Sequence, residues 1–266
     1  MINIITLAKN DLSGLQNTYR SLGNFPLDFR WIVVTPEQDS ETQEYCQKLI
    51  QRGFNLRVYI DSGTGIYEAM NLPIKDIHDE DWIWYLNAGD LSNIDSTVCD
   101  VMHSLIISDS GWAFGGHSLA NNRNGILRYN PPPNVFSSDK QLFARNFVSH
   151  QAVFMKGHLI KNLSGFDVNY KVAADWDLLV RASKISRPFI VDIPIATFYL
   201  GGFSSAHRNI GNFELLKLRT VHLPHHYYFE SYIWFVYRIF RNKLVTSAEK
   251  LLPDVLDHFR KRNSRK

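Results

Sequence analysis

The residues best suited to chemistry here are a few carboxylates and histidines in polar loops. Asp90 closes Leu86-Asn87-Ala88-Gly89-Asp90, just after the apolar run Asp81 to Leu86. A carboxylate there can hold Mg²⁺ or Mn²⁺, hard cations that keep waters and bridge phosphate oxygens. Such an ion neutralises the charge that builds on a departing diphosphate. An Asp in this place also serves as an ordinary turn residue capping the next helix. Asp175 and Asp177 flank Trp176 in Ala173-Ala174-Asp175-Trp176-Asp177. One of them could take a proton from an attacking hydroxyl while Trp176 stacks on a sugar, and both suit a first helical turn with no further role. In Asp61-Ser62-Gly63-Thr64-Gly65-Ile66-Tyr67-Glu68-Ala69-Met70-Asn71 two glycines allow close backbone approach, and a helix start could face a phosphate. The same string reads equally as a plain strand-to-helix turn. His150 and His207 could ligate a metal or touch a phosphate, although most histidines are structural.

These residues need elements to place them. Ile2 to Leu7 reads as a first strand, and Leu12, Leu15, Tyr19 and Leu22 follow at helical spacing up to Gly23. Trp31 to Val34 is a second strand; Ser40-Glu41-Thr42-Gln43 has the form of a capping box opening a helix that Gly53 ends. Leu56 to Ile60 and Asp81 to Leu86 are further strands, and Val98, Met102, Leu105 and Ile106 mark another helix. This alternation predicts a mostly parallel sheet covered on both faces, with ligands beyond the carboxyl ends of its strands. Further on, Trp112 to Gly116 and Ala152 to Met155 are strand-like, Asn121 to Gly125 suits a hairpin turn, and Asp177 to Ser183 is helical. Phe189 to Leu200 reads as two short strands around Pro194, and the pattern is helical from Gly211 to the end.

A length of 266 residues with 45% hydrophobic and 21% charged residues suits a large folded domain and argues against disorder. A net charge of +3 is too mild to indicate nucleic-acid binding. Cys46 and Cys99 lie in apolar helical patterns with no Cys-x-x-Cys, which suits a reducing compartment. The amino-terminal segment lacks the features of a signal peptide. Between Tyr227 and Phe240 aromatics, Trp234 and Phe235 among them, mix with Arg238, Arg241 and Lys243, and the tail Phe259 to Lys266 is basic. That mixture suits the headgroup layer of an anionic membrane, or a helix packed on the catalytic core or a second subunit.

Five segments in this order resemble a family 2 glycosyltransferase, closest to the bacterial capsule and colanic-acid type. The string from Gly65 to Asn71 is very similar to that group's G-I-Y-D-A-M-N, and the string from Leu86 to Asp90 to its L-N-S-G-D. Ser149-His150-Gln151-Ala152 resembles its S-H-Q-A, Ala174-Asp175-Trp176 stands in the place of its E-D, and Gly201-Gly202-Phe203-Ser204 resembles its G-G-x-S. The likeness runs from about Ile2 to about Arg219. It implies an α/β, A-type glycosyltransferase fold, Rossmann-like with a C-terminal helical extension. A catalytic domain over 1–222 would hold the nucleotide in about 1–110 and the acceptor in about 111–222, with 223–266 as the extension.

The resemblance further implies an inverting transfer from a nucleotide-sugar donor to a polysaccharide or lipid-linked oligosaccharide acceptor, in surface-polysaccharide synthesis. Asp175 would be the base and Asp90 would hold Mn²⁺ or Mg²⁺; His207 is a further candidate ligand from its residue type and not from the resemblance. Thr6, Ala8, Gly65, Tyr67 and Asn71 would meet the donor, and His150, Gln151, Trp176 and Asp177 the acceptor. Two departures concern the base: Val34-Thr35-Pro36-Glu37 stands where the family has Asp-Gly-Gly-Ser, and Gly63 where it has Asp. Glu37 and Asp61 are the candidate substitutes. The implied place of work is cytoplasmic, at the inner face of the bacterial inner membrane. A homodimer is compatible with the aromatic helix. A sugar-nucleotide pyrophosphorylase normally has a Gly-rich loop where Leu7-Ala8-Lys9-Asn10 stands, which disfavours that reading; Asp90 and Asp175 argue against a non-catalytic sugar- or membrane-binding relative, while the changed loop at Thr35 leaves it open.

Overall fold

The computed structural model describes residues 1–121, 125–136, 142–143, 148–199 and 207–251, the last ten by backbone alone. The Gly201 to Ser204 motif and the basic tail lie outside them. Four strands carry the first half: β1 (Ile2–Leu7), β2 (Phe29–Pro36), β3 (Leu56–Asp61) and β4 (Trp82–Tyr85). They pair in parallel in the order β3-β2-β1-β4. β1, β2 and β4 are largely buried on both sides because the sheet there is covered on both faces, while the edge strand β3 leaves Arg57 and Ile60 exposed. Ile5, Ile32, Val34, Ile83 and Tyr85 point into one core; Ile4, Trp31, Val33, Trp82 and Trp84 point into the other. The helices α1 (Leu12–Ser21), α2 (Ser40–Gln51) and α4 (Cys99–Ile107) cover the second face through Leu15, Leu49 and Met102. The short α3 (Ile66–Asn71) lies on the first through Tyr67 and Met70.

β5 (Leu91–Ser92), β6 (Trp112–Asn121), β7 (Gly125–Asn130), β8 (Val153–Lys156) and β9 (Phe189–Tyr199) complete the sheet. The order continues β4-β8-β6-β9-β5, with β7 beside β6. β8 runs antiparallel to both β4 and β6, so the parallel half ends at β4, while β6 and β9 are parallel to each other. α5 (Gly157–Asn162) and α6 (Ala174–Ile185) pack on the first core through Ile160 and Leu178. α7 (Arg208–His222) and α8 (Tyr228–Leu251) end the described chain, and Pro224 lies between them.

Two local expectations change. The cap of α2 is Asp39, one residue before the expected Ser40, since its carboxylate accepts from Thr42 N at 3.2 Å and also from Asn10 N at 2.7 Å. Phe189 to Tyr199 is one strand rather than two. Its pairing with β6 slips around Gly116, which sits opposite Pro194, so the residue that cannot donate to a ladder stands at the irregularity.

Candidate active site

A cleft of about 1770 Å³ opens beyond the carboxyl ends of the four parallel strands. β1 delivers Ala8, β2 Pro36, β3 Asp61 and β4 the loop Asn87 to Leu91 to its wall. That loop is pinned from α1: Thr18 Oγ1 accepts from Gly89 N at 3.1 Å and donates to Asp90 O at 2.8 Å. Gly89 takes φ +89, a backbone state that side-chain-bearing residues avoid, and so turns Asp90 back under the loop. Burial pushes the Asp90 carboxyl up to about 6, against the opposing pull of His150 and Gln151.

The 3-10 turn His150–Ala152 ties the two candidate carboxylates together. Trp84 Nε1 donates to Gln151 O at 2.7 Å, fixing the turn to β4. Gln151 Nε2 then donates to Asp90 Oδ2 at 3.3 Å, while its Oε1 accepts from Ser149. Its neighbour His150 places Nδ1 3.2 Å from Asp175 Oδ2. The other oxygen of Asp175 accepts from Trp176 N at 2.9 Å, at the start of α6. Tyr67 completes this wall: its hydroxyl donates to Val172 O at 2.7 Å, and burial drives its pKa far upward with Asp175 adding to the effect, so it serves only as a neutral group.

Of the residues expected from sequence, Ala8, Asp61, Gly65, Tyr67, Asp90, His150, Gln151 and Asp175 line the cleft. The others are placed differently. Thr6 is fully buried, donating to Leu86 O at 2.7 Å and accepting from Trp31 Nε1 at 2.9 Å, so its hydroxyl is consumed inside the sheet. Asn71 spends both amide ends on Phe166, donating to its O at 2.8 Å and accepting from its N at 2.9 Å. Asp177 is buried away from the cleft, 2.6 Å from Arg181 Nε and 3.1 Å from His222 Nε2. Trp176 packs against the first core, Glu37 is an exposed residue outside the cleft wall, and His207 stands just before the first residue of α7, outside that wall.

Sequence reasoning passed over Lys9, Asp11, Asn17, Arg20, Phe198 and Tyr199, all of which line the cleft. Asp11 had a legible signal, for it follows the carboxyl end of the first strand and caps α1 by accepting from Gly14 N at 2.9 Å. Phe198 and Tyr199 had none, because only the sheet order brings β9 to this edge.

A divalent cation fits what is here. Asp90 is a buried carboxylate whose side-chain hydrogen bond from Gln151 is long, 3.3 Å, and Asn87 Oδ1, on the same loop, is a buried oxygen without a partner among the described residues. No group of three or more His, Cys, Asp or Glu converges among the described residues.

No family model matches the chain. The fold is the one seen in structurally known glycosyltransferases. Staphylococcus aureus TarS 1–349, in complex with UDP-GlcNAc, superposes with a TM-score of 0.66 at 15% identity, over 99% of this chain and 79% of that one. The mannosyltransferase PcManGT of Pyrobaculum calidifontis, in complex with GDP-Man and Mn²⁺, gives 0.62 at 14% over 95% and 76%. Among curated proteins, an uncharacterised glycosyltransferase of Mycobacterium tuberculosis is 28% identical over 214 residues, 78% of each chain. A PGL/p-HBAD biosynthesis glycosyltransferase of Mycobacterium bovis is 27% identical over 165 residues, 62% of this chain and 61% of that one.

Proposed function

We propose that this chain is an inverting glycosyltransferase of the family 2 type. It would move a hexose from a nucleoside-diphosphate donor to a hydroxyl of an oligosaccharide, free or lipid-linked, in surface-polysaccharide synthesis. The observation that carries this reading is the approach of Asp90 and Asp175 to one another through Gln151 and His150, in a cleft at the strands' carboxyl ends. The glycosyltransferase names of the two mycobacterial relatives support it.

The base of the donor would lie by Ala8, Pro36 and Asp61, with Lys9 offering positive charge toward the diphosphate. Asp90, with Asn87 Oδ1 beside it, would hold Mn²⁺ or Mg²⁺, which when bound supplies Lewis-acid neutralisation of the diphosphate. Asp175 Oδ2 takes the proton of the acceptor hydroxyl. His150 Nδ1 orients that oxygen, and the Trp176 N–H occupies the other one. The acceptor oxygen bonds to the anomeric carbon as the bond to the diphosphate breaks, and one displacement inverts the centre. Phe198, Tyr199, Asn17 and Arg20, which also line the cleft, offer aromatic faces and donors suited to a saccharide acceptor.

Incubation with UDP-, GDP- and dTDP-sugars, Mn²⁺ and candidate oligosaccharides tests the reading, with the anomeric configuration read by NMR. The expected product is inverted, and Asp90→Ala loses nearly all transfer. Full activity in excess EDTA would overturn the metal assignment, and retention would overturn single displacement. Donor binding with no release of nucleoside diphosphate under any condition would replace the enzyme by a sugar-binding protein.

A further inference from the structure

One surface of the molecule takes no part in that chemistry. On α8, Phe229, Tyr232, Ile233, Tyr237 and Phe240 are each more than half exposed. Their spacing of three, four, eight and eleven residues from Phe229 puts them on one helical face. The opposite face holds α8 to the protein. Ser231 is fully buried, Arg219 Nε donates to its hydroxyl at 3.0 Å, and Arg238 Nε donates to Asn212 Oδ1 at 3.0 Å. Trp234 is stacked by Arg219 at 4.9 Å and Arg238 at 4.7 Å, and Phe235 is 8% exposed. Trp234 and Phe235, which the sequence leaves open between a membrane face and a protein contact, are therefore contacts to α7. Phe213 of α7, itself 60% exposed, lies 5.0 Å from the Phe235 ring, which Tyr232 approaches at 6.5 Å. The apolar patch thus continues from one helix to the other.

Charge is divided in the same way along the chain. Residues 223–266 contain nine of the 29 Lys and Arg but only four of the 26 Asp and Glu, a net +5, which leaves residues 1–222 at −2. The whole positive excess therefore belongs to the segment that carries the apolar stripe.

We propose that α7 and α8 dock the protein on an anionic lipid bilayer, with α8 lying in the plane of the interface. From Phe229 to Phe240 the stripe is about 18 Å long, less than a bilayer core, and among the described residues no helix is long and apolar enough to cross a membrane. An exposed aromatic face with an adjoining basic segment is the composition of an interfacial helix. A second copy is the other candidate occupant. A two-fold pairing through this face would bring two net-positive segments together, whereas anionic headgroups neutralise them.

Co-sedimentation of the full chain with phosphatidylglycerol-containing and pure phosphatidylcholine vesicles tests this, beside size-exclusion chromatography and circular dichroism. Binding is expected to the anionic vesicles and to weaken with salt. The triple change Phe229→Ser, Tyr237→Ser, Phe240→Ser alters only exposed side chains. It should keep the fold and the transfer to a soluble acceptor while weakening vesicle binding by roughly tenfold or more, at high salt as well as low. A wild type that ignores anionic vesicles at low salt overturns the proposal. So does a triple variant that binds them as the wild type does, or a wild-type dimer that the triple change abolishes without any vesicle binding.

Discussion

Asp177 accepts from Arg181 at 2.6 Å and His222 at 3.1 Å, whereas Asp175, two residues earlier, faces the cleft with His150 Nδ1 3.2 Å from its Oδ2. The two carboxylates therefore separate by measurement. On the proposed reading, Asp175→Asn lowers turnover by roughly 10² to 10⁴ with little change in donor affinity or melting temperature. Asp177→Asn leaves Arg181 and His222 without their carboxylate and should cost about 2–3 kcal/mol in denaturant unfolding, with the chemistry less affected. Burial acts to raise the Asp177 pKa, but the His222 hydrogen bond and the Arg181 charge outweigh it, so the net shift is below 3.8. A depressed carboxyl gives stability that is present above the ordinary carboxylate range and is lost as pH falls through it. The wild type should therefore lose stability between about pH 4 and pH 2, more steeply than Asp177→Asn does. Asp90 is the converse case. Its burial disfavours the charge it carries at neutral pH, so Asp90→Asn should unfold no more easily than the metal-free wild type although it transfers no sugar. A clear drop in its melting temperature would contradict that account.

Asn71, at the end of α3, clamps both backbone groups of Phe166, and Gly165 beside it has φ +69. A Cβ on Gly165 would lie 2.4 Å from Asn71 Oδ1. This clamp, with the Tyr67 bond to Val172, sets the loop that leads into α6 and hence the place of Asp175. Asn71→Ala should destabilise by about 2–3 kcal/mol by leaving buried backbone groups unpaired, and differential scanning calorimetry checks it. The Gly65 to Asn71 string was legible as a motif, but not the division of labour inside it. A sequence shows an amide and a glycine, and only the fold shows which atoms are already spent. The parallel strands and their helices were legible because two buried faces write continuous apolar runs. The helix cap at Asp39 was displaced from Ser40 because Asp39 also holds Asn10, a contact 29 residues distant. The bridge from Gln151 to Asp90 spans 61 residues and was beyond any local pattern.

At the scale of the whole molecule, α8 completes the burial of α7. Arg219 is 4% exposed, donates to Ser231 at 3.0 Å and reaches Phe143 O at 3.0 Å. A chain ending at His222 would lose Ser231 and Trp234 from around that guanidinium. Its unfolding free energy should fall by about 2–4 kcal/mol relative to the full chain, measured in denaturant without vesicles; equal stability would make α8 an independent appendage. The sheet also has a seam. β4 is the last strand of the parallel set, β8 beside it runs the other way, and the cleft crosses that line. If the donor is read on one side and the acceptor on the other, the two preferences descend on separate stretches of chain and can be recombined like cassettes. A chimaera joined between β5 and β6 should then inherit its sugar from one parent and its linkage partner from the other. The condition is that the contacts joining the two stretches survive the exchange: Trp84 to Gln151, Gln151 to Asp90, Tyr67 to Val172, the Asn71 clamp on Phe166 and the β5–β9 pairing.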